Sequence, residues 1–278
     1  MKEVLYVVKI GGNIIDDEKK LSDFLKQFAK VGSPRQLAGS GAQKILIHGG
    51  GKLATKLAEQ MNIPQQMVDG RRITDAETLK IVTMVYAGYI NKNVVAQLQA
   101  NNCNAIGLCG ADGNIILAHK RKVANSPSGT GGIDYGFAGD VDAINTTLLK
   151  SILDQQVSVV MAPITHDQKG QLLNTNADTI AQEIANAMST LYDVQLIYSF
   201  EKSGVLLDAN DDSTVIPSIN PTYYQQLKTE QKIFAGMIPK LDNAFAALNR
   251  GVKKVIIGKA EQLTDLITGK AGTSIVHE

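Results

Sequence analysis

Cysteine and histidine are scarce in this 278-residue chain, and that scarcity narrows its chemistry. The two cysteines, Cys103 and Cys109, flank Asn104-Ala105-Ile106-Gly107-Leu108 without the closer spacing and additional Cys or His ligands that metal sites recruit. They read as reduced, partly buried thiols with no chemistry of their own. The four histidines, at 48, 119, 166 and 277, show no H-E-x-x-H spacing, which argues against a protein-held metal. A formal net charge of +1, from 28 basic and 27 acidic residues, gives no overall attraction to nucleic acid or anionic membrane. No apolar run reaches membrane-spanning length, and Met1-Lys2-Glu3-Val4 enters the first strand without room for a signal peptide, so a cytoplasmic location is expected. No repeat of 20 to 50 residues is visible, which excludes solenoids.

What is present is a pair of short hydrophobic strands that run straight into glycines, Val7-Val8-Lys9-Ile10-Gly11-Gly12 and Ile45-Leu46-Ile47-His48-Gly49-Gly50-Gly51. Glycine lets backbone N–H groups face a ligand at the carboxyl end of a strand, where open α/β sheets bind their ligands. Neither segment matches a Walker A loop or the dinucleotide G-x-G-x-x-G, so a phosphate would be gripped in another way.

With 44% hydrophobic and 20% charged residues, the chain can bury a large core in one wide domain or two lobes. Strand-like runs recur at 4–10, 44–48, 104–108, 157–162, 194–198 and 253–257. Helical patterns are expected at about 17–31, 51–61, 74–100, 143–155, 177–190 and 237–250, the third opened by a capping threonine or aspartate at Thr74-Asp75. Alternation of this kind predicts an α/β fold with a mostly parallel sheet covered on both faces. Residues 32–43 have linker composition and predict an exposed loop, while the glycine-rich stretch 125–139 predicts a mobile hairpin or lid. A lobe boundary near residue 180 is expected, because a new set of strands and helices begins after the Asn174-to-Asp178 segment.

Several polar residues fit either a site or plain structure. Lys9 leaves a buried strand beside glycines and can reach phosphate oxygens, or it simply snorkels to the sheet edge. His48 reads as a satisfied structural residue rather than a base. In Asn174-Thr175-Asn176-Ala177-Asp178, Asp178 falls in a first helical turn, where the helix dipole favours a carboxylate whatever its function. Lys240, in Gly236-Met237-Ile238-Pro239-Lys240, opposes the dipole of its own helix, a placement that suggests a partner anion. Arg72, in Asp69-Gly70-Arg71-Arg72-Ile73-Thr74, can contact a carboxylate bidentately or be a solvated loop arginine.

The segments VVKIGG, HGGG, GRRITD, NTNAD and GMIPK, in that order across almost the whole chain, resemble the amino acid kinase family. The resemblance implies an open αβα sandwich in two lobes: residues 1–180 binding an acylated amino acid and mediating dimerisation, and residues 181–278 binding ATP. It implies ATP-dependent phosphorylation of the side-chain carboxylate of an N-acylated L-glutamate, N-acetyl-L-glutamate foremost, in arginine biosynthesis. Lys9 and Lys240 would flank the transferred γ-phosphoryl and Asp178 would orient both. Gly11, Gly12 and Gly50 would supply backbone N–H groups with Gly51 beside them, and Arg72 and Asn174 would hold the substrate carboxylate. ATP, with Mg²⁺ held by its phosphates, would lie against Ser199, Ser203 and Gly204 and near Lys232 and Phe234. A carboxylate nucleophile with a reference pKa of about 4.3 is already ionised at neutral pH and needs no general base, in keeping with the absence of a catalytic histidine.

The chain departs from the family pattern twice. The D-V-x-G turn is replaced by Ser199-Phe200-Glu201-Lys202-Ser203-Gly204, one residue longer and without the aspartate. Arg71 stands where an apolar residue is more usual, and an extra cation there suits an anionic acyl group, as in N-succinyl-L-glutamate. Because the chain starts at its first strand, a homodimer without arginine feedback is expected. The competing readings are a carbamate, glutamate or aspartate kinase on the same fold, and a non-catalytic nucleotide or amino acid sensor.

Overall fold

The first strand, Val4–Ile10, shows how the sequence builds the layers. Its residues are apolar on both faces: Leu5 and Val7 pack into one core cluster, Tyr6, Val8 and Ile10 into another. A strand read this way must lie inside a sheet covered above and below. Lys9 takes the same parity as Leu5 and Val7, and so points toward the helices of that face.

The computed structural model describes residues 2–32, 42–68, 71–122, 132–208, 210–233 and 237–277. In chain order the strands there are β1 (Val4–Ile10), β2 (Gln43–His48), β3 (Gln66–Val68), β4 (Arg71–Ile73), β5 (Ala105–Leu108), β6 (Ile116–Lys120), β7 (Ala138–Ile144), β8 (Ser158–Met161), β9 (Ile164–His166), β10 (Leu172–Thr175), β11 (Asp193–Phe200), β12 (Ser218–Ile219), β13 (Lys254–Lys259) and β14 (Thr273–Ile275). Eight of them form the central sheet in the order β12-β14-β13-β11-β1-β2-β8-β5. Only the β13–β14 pairing is antiparallel. All six runs predicted as strands fall in this sheet. The expected α/β class with a mostly parallel sheet is therefore the observed one.

The helices are α1 (Gly12–Ile15), α2 (Glu18–Lys30), α3 (Gly51–Gln60), α4 (Ala76–Thr83), α5 (Asn91–Ala100), α6 (Thr146–Asp154), α7 (Ala177–Met188), α8 (Pro221–Thr229), α9 (Ile238–Asn249) and α10 (Leu263–Thr268). Leu149, Ile184 and Leu248, from α6, α7 and α9, cover one face. Phe24, Ala54, Leu98 and Leu266, from α2, α3, α5 and α10, cover the other. The long helical pattern at 74–100 is interrupted by a π-helical stretch, Met84–Ile90, between α4 and α5. Asp75 caps α4, its carboxylate accepting from the Thr78 N–H at 2.7 Å.

The periodic signal was too short to reveal several elements. β10, β7, β6 and β9 close into a small barrel, β3 and β4 pair as a hairpin, and α8 and α10 are brief helices. The expected loop at 32–43 falls mostly on residues 33–41, outside the described residues. The 125–139 segment is corrected in its described part: Ala138 and Gly139 belong to β7, and Tyr135 and Phe137 exchange backbone hydrogen bonds with Thr74 at 3.0 and 2.6 Å. Gly136 permits that close approach, because a Cβ there would lie 2.1 Å from the Thr74 carbonyl oxygen. A pinned strand entry replaces the lid over these residues.

Candidate active site

β1 and β2 lie side by side and parallel, with Ile10 opposite His48, so their glycine ends emerge together. A Cβ on Gly49 would sit 3.9 Å from the Gly12 backbone nitrogen. The carboxyl edge of the sheet is thus lined with backbone. Helices α1 and α3 start immediately after β1 and β2, and α7 starts immediately after β10, which directs N-terminal backbone N–H groups toward the same region.

His48, at the end of β2, is fully buried. Its Nδ1 is 2.8 Å from the Gly49 carbonyl, to which it donates, and its Nε2 accepts from the Asn91 amide at 3.3 Å. Burial holds the imidazole down at about 4, against the Gly49 hydrogen bond that raises it. It is a neutral structural residue, as its sequence context implied.

Three charged side chains converge beyond Gly11 and Gly12. Lys9 Nζ lies 2.8 Å from Asp178 Oδ1, and Lys240 Nζ lies 3.6 Å from Asp178 Oδ2. One carboxylate therefore holds two ammonium groups that arrive from β1 and α9. Burial would raise the Asp178 carboxyl, but the two lysines outweigh it and hold it below the ordinary carboxylate range. Helix capping does not explain Asp178. The cap of α7 is Asn176, whose side-chain oxygen accepts from the Asp178 and Thr179 N–H groups at 2.8 and 3.1 Å. Phe200 puts its ring centroid 5.8 Å from Lys240 Nζ, a cation–π distance.

The second group lies in a cavity of about 170 Å³ beside this triad. Gly50, Gly51, Arg72 and Asn174 all line it, together with Arg71 and Tyr86. Arg72 is not a solvated loop residue: it is only 8% exposed, and its guanidinium donates to Gln65 Oε1, to the Gly51 carbonyl at 2.9 Å and to Thr55 Oγ1 at 2.9 Å. Asn174 Nδ2 donates to Thr74 Oγ1 at 3.0 Å. Gly50 has φ 146°, and a Cβ on it would meet Ile90 Cδ1 at 2.2 Å and the Tyr86 ring at 3.2 Å. Glycine is required there both by conformation and by space. The cavity wall continues through Asn176 and Ala177, which places its floor next to Asp178.

The expected nucleotide contacts are less uniformly arranged. Ser199, next to last in β11, lies opposite Ile10, is 1% exposed, and its Oγ has no partner among the described residues. The Ser199 carbonyl accepts the Gly11 N–H at 3.0 Å, which corrects the expectation that this amide faces phosphate. The Ser203–Gly204 turn is anchored on β14, where a Gly204 Cβ would be 2.6 Å from Thr273 Oγ1 and the Val205 N–H donates to that oxygen at 2.8 Å. Lys232 is exposed and pairs with Glu230 at 3.0 Å. Phe234 lies outside the described residues. Sequence reasoning missed Tyr86, Thr55 and Gln65 as members of the site. Each resembles ordinary core or surface filling until the fold places it.

Residues 5–259 match the model of the amino acid kinase family. Over 274 residues the chain is 53% identical to an acetylglutamate kinase from Cytophaga hutchinsonii, covering 98% of each, and over 263 residues 51% identical to one from Bacteroides fragilis, covering 95% of each. Among solved structures it shares its fold with N-acetylglutamate synthase from Neisseria gonorrhoeae, at TM-score 0.77 and 20% identity, over 99% of this chain and 62% of that one. Carbamate kinase from Giardia has the same fold at TM-score 0.68 and 15% identity, over 100% of this chain and 99% of that one.

Proposed function

The chain belongs to the amino acid kinase family, and on that premise we propose that it phosphorylates the side-chain carboxylate of N-acetyl-L-glutamate with ATP, in arginine biosynthesis. The observation that carries this reading is the Lys9–Asp178–Lys240 triad set against an arginine- and asparagine-lined cavity.

Phosphoryl transfer between two anions requires alignment and charge neutralisation more than proton transfer. The acylglutamate would occupy the cavity, its α-carboxylate toward Arg72 and Asn174. An oxygen of its ionised side-chain carboxylate attacks the γ-phosphorus, the bond from that phosphorus to the β–γ bridging oxygen breaks, and ADP leaves. Lys9 and Lys240 would flank the moving phosphoryl group, with Asp178 fixing their separation and acting as organiser rather than base. Gly12 and Gly50 would direct backbone N–H groups at the oxygens. Ser199, Ser203, Gly204, Lys232 and Phe234 would border ATP. Mg²⁺ would enter on the phosphates of ATP, since Asp178, the carboxylate at the triad, is already shared by two lysines.

Strand order supports assigning residues 1–180 to the acylglutamate and 181–278 to ATP. One half of the sheet is β12-β14-β13-β11 and the other is β1-β2-β8-β5. A cytoplasmic homodimer completes the proposal. None of the described helices is long and apolar enough to cross a membrane. A hexamer by light scattering would contradict the assembly.

Arg71 supports a second reading of the acyl group. It lines the cavity beside Arg72, and burial followed by the neighbouring Arg121 lowers its guanidinium pKa, with Asp140 opposing. A second cation in the cavity suits the extra carboxylate of N-succinyl-L-glutamate. Trapping the acyl phosphate with hydroxylamine, using acetyl-, succinyl- and free glutamate in parallel, tests both readings. Hydroxamate from neither acylated substrate would overturn the function.

A further inference from the structure

An arginine carries five N–H groups, and three of those of Arg72 are engaged by the protein itself. One Nη1 N–H goes to Gln65 Oε1, and Nη2 donates to both the Gly51 carbonyl and Thr55 Oγ1. The Arg72 charge also bears on the Tyr86 phenol, which lines the same cavity. Among the described residues this leaves Arg72 one N–H on Nε and one on Nη1, and with both Nη2 N–H groups taken neither paired edge of the guanidinium is free. It cannot grip a carboxylate at two points in this arrangement, and Asn174 has already committed one of its two amide N–H groups to Thr74 Oγ1, which leaves room for a further donor.

Tyr86 is placed to be that donor. Its side chain lines the same cavity, is only 6% exposed, and packs its ring 3.2 Å from where a Gly50 Cβ would lie. The π-helical stretch is what brings it there. The Asn91 N–H reaches back to the Tyr86 carbonyl, five residues earlier, and the widened turn sets Tyr86 and Ile90 together over Gly50. The next residue, Asn91, still reaches the Val160 carbonyl at 3.0 Å and His48. The phenol O–H can donate to a ligand, and burial raises the phenol pKa so that the proton stays in place, although Arg72 opposes this.

We infer that Tyr86 is a further substrate-binding residue, whose hydroxyl joins Arg72 and Asn174 in recognising the acylglutamate α-carboxylate. The inference rests on the proposed substrate class. It adds a helix side chain to the Arg72 and Asn174 contacts, and makes the π-helical register part of substrate specificity.

The test is Tyr86→Phe in the full-length enzyme, assayed with ATP and both acylated glutamates. A donor to a charged group is removed while the ring remains, so KM for the acylglutamate is expected to rise about tenfold, with kcat within about twofold and KM for ATP unchanged. A melting temperature equal to the parent's separates this from a packing defect. Tyr86→His, which keeps a ring and an N–H donor, is expected to recover part of the affinity. An unchanged acylglutamate KM in Tyr86→Phe would overturn the role of Tyr86 while leaving the proposed function intact. Failure of the parent enzyme to turn over either acylglutamate would overturn the functional reading and this inference with it.

Discussion

Lys9 and Lys240, nearly the whole chain apart in sequence, bind opposite oxygens of one carboxylate, that of Asp178, at 2.8 and 3.6 Å. The two ammonium groups are held near each other only because an anion stands between them. A passing phosphoryl group would supply further negative charge to the same pair, so the site is arranged in advance for the charge that transfer brings.

Removing that organiser should damage chemistry more than binding. Asp178→Asn keeps the shape of the side chain but loses its charge, and kcat is expected to fall roughly 100-fold, in line with the loss of two charge-assisted contacts at about 1.5 kcal/mol each. KM for the acylglutamate should change little. Lys240→Ala should behave in the same way, and unchanged turnover in steady-state kinetics would exclude its role.

Gly50→Ala should be severe. The substitution demands a left-handed-side conformation at φ 146° and drives a methyl group into Ile90 and Tyr86. A loss of about 2 kcal/mol or more in urea unfolding is expected, together with collapse of acylglutamate affinity. Gly51→Ala, whose Cβ would meet Arg72 Nη2 at a comfortable 3.7 Å, should be far milder and serves as the control.

Buried neutral His48 makes stability depend on pH. Its native pKa is about 4 against 6.5 for the free side chain, so between those values the unfolded chain binds a proton that the folded chain does not. Stability must fall as pH drops through that window, by about 2 kcal/mol between pH 7.5 and 5. Below it the depressed Asp178 carboxyl takes over: its stabilisation is complete above its ordinary pKa and is lost as pH falls through its lower native value. Urea midpoints measured across this range, with His48→Gln as comparison, check the first part, because the variant should lose the slope between pH 7.5 and 5.

Arg71→Leu tests the acyl group. If Arg71 reads a succinyl carboxylate, kcat/KM for N-succinyl-L-glutamate should fall at least tenfold while that for the acetyl compound changes less than threefold. Equal losses for the two substrates would remove the second reading.

Most of the central sheet was legible because its strands are short continuous apolar runs, a pattern that buried parallel strands impose. The barrel was not, since strands such as Ile164–His166 are too short to carry a period and take their form from partners elsewhere. Lys9 and Asp178 were legible as types in the right places, but their meeting depends on α7 packing over β1. The π-helical stretch could not be read, because Met84–Ile90 has the composition of any buried helix and its register is set by contact with Gly50 and His48. The Gly11 amide was misjudged for a related reason: a glycine beside a strand end can be an exposed donor or the last rung of a ladder, and only the Ser199 partner decides.

The pairing of β1 with β11 has a consequence for biosynthesis. β1 leaves the ribosome long before one of its two neighbours in the sheet, which runs from Asp193 to Phe200. Until that segment emerges, an apolar strand with one unpaired edge waits beside β2, open to misassociation. The Lys9–Lys240 pairing around Asp178 comes later still, since Lys240 follows β11. Folding of this enzyme is therefore gated by its last third, and truncated or stalled chains should be aggregation-prone as well as inactive.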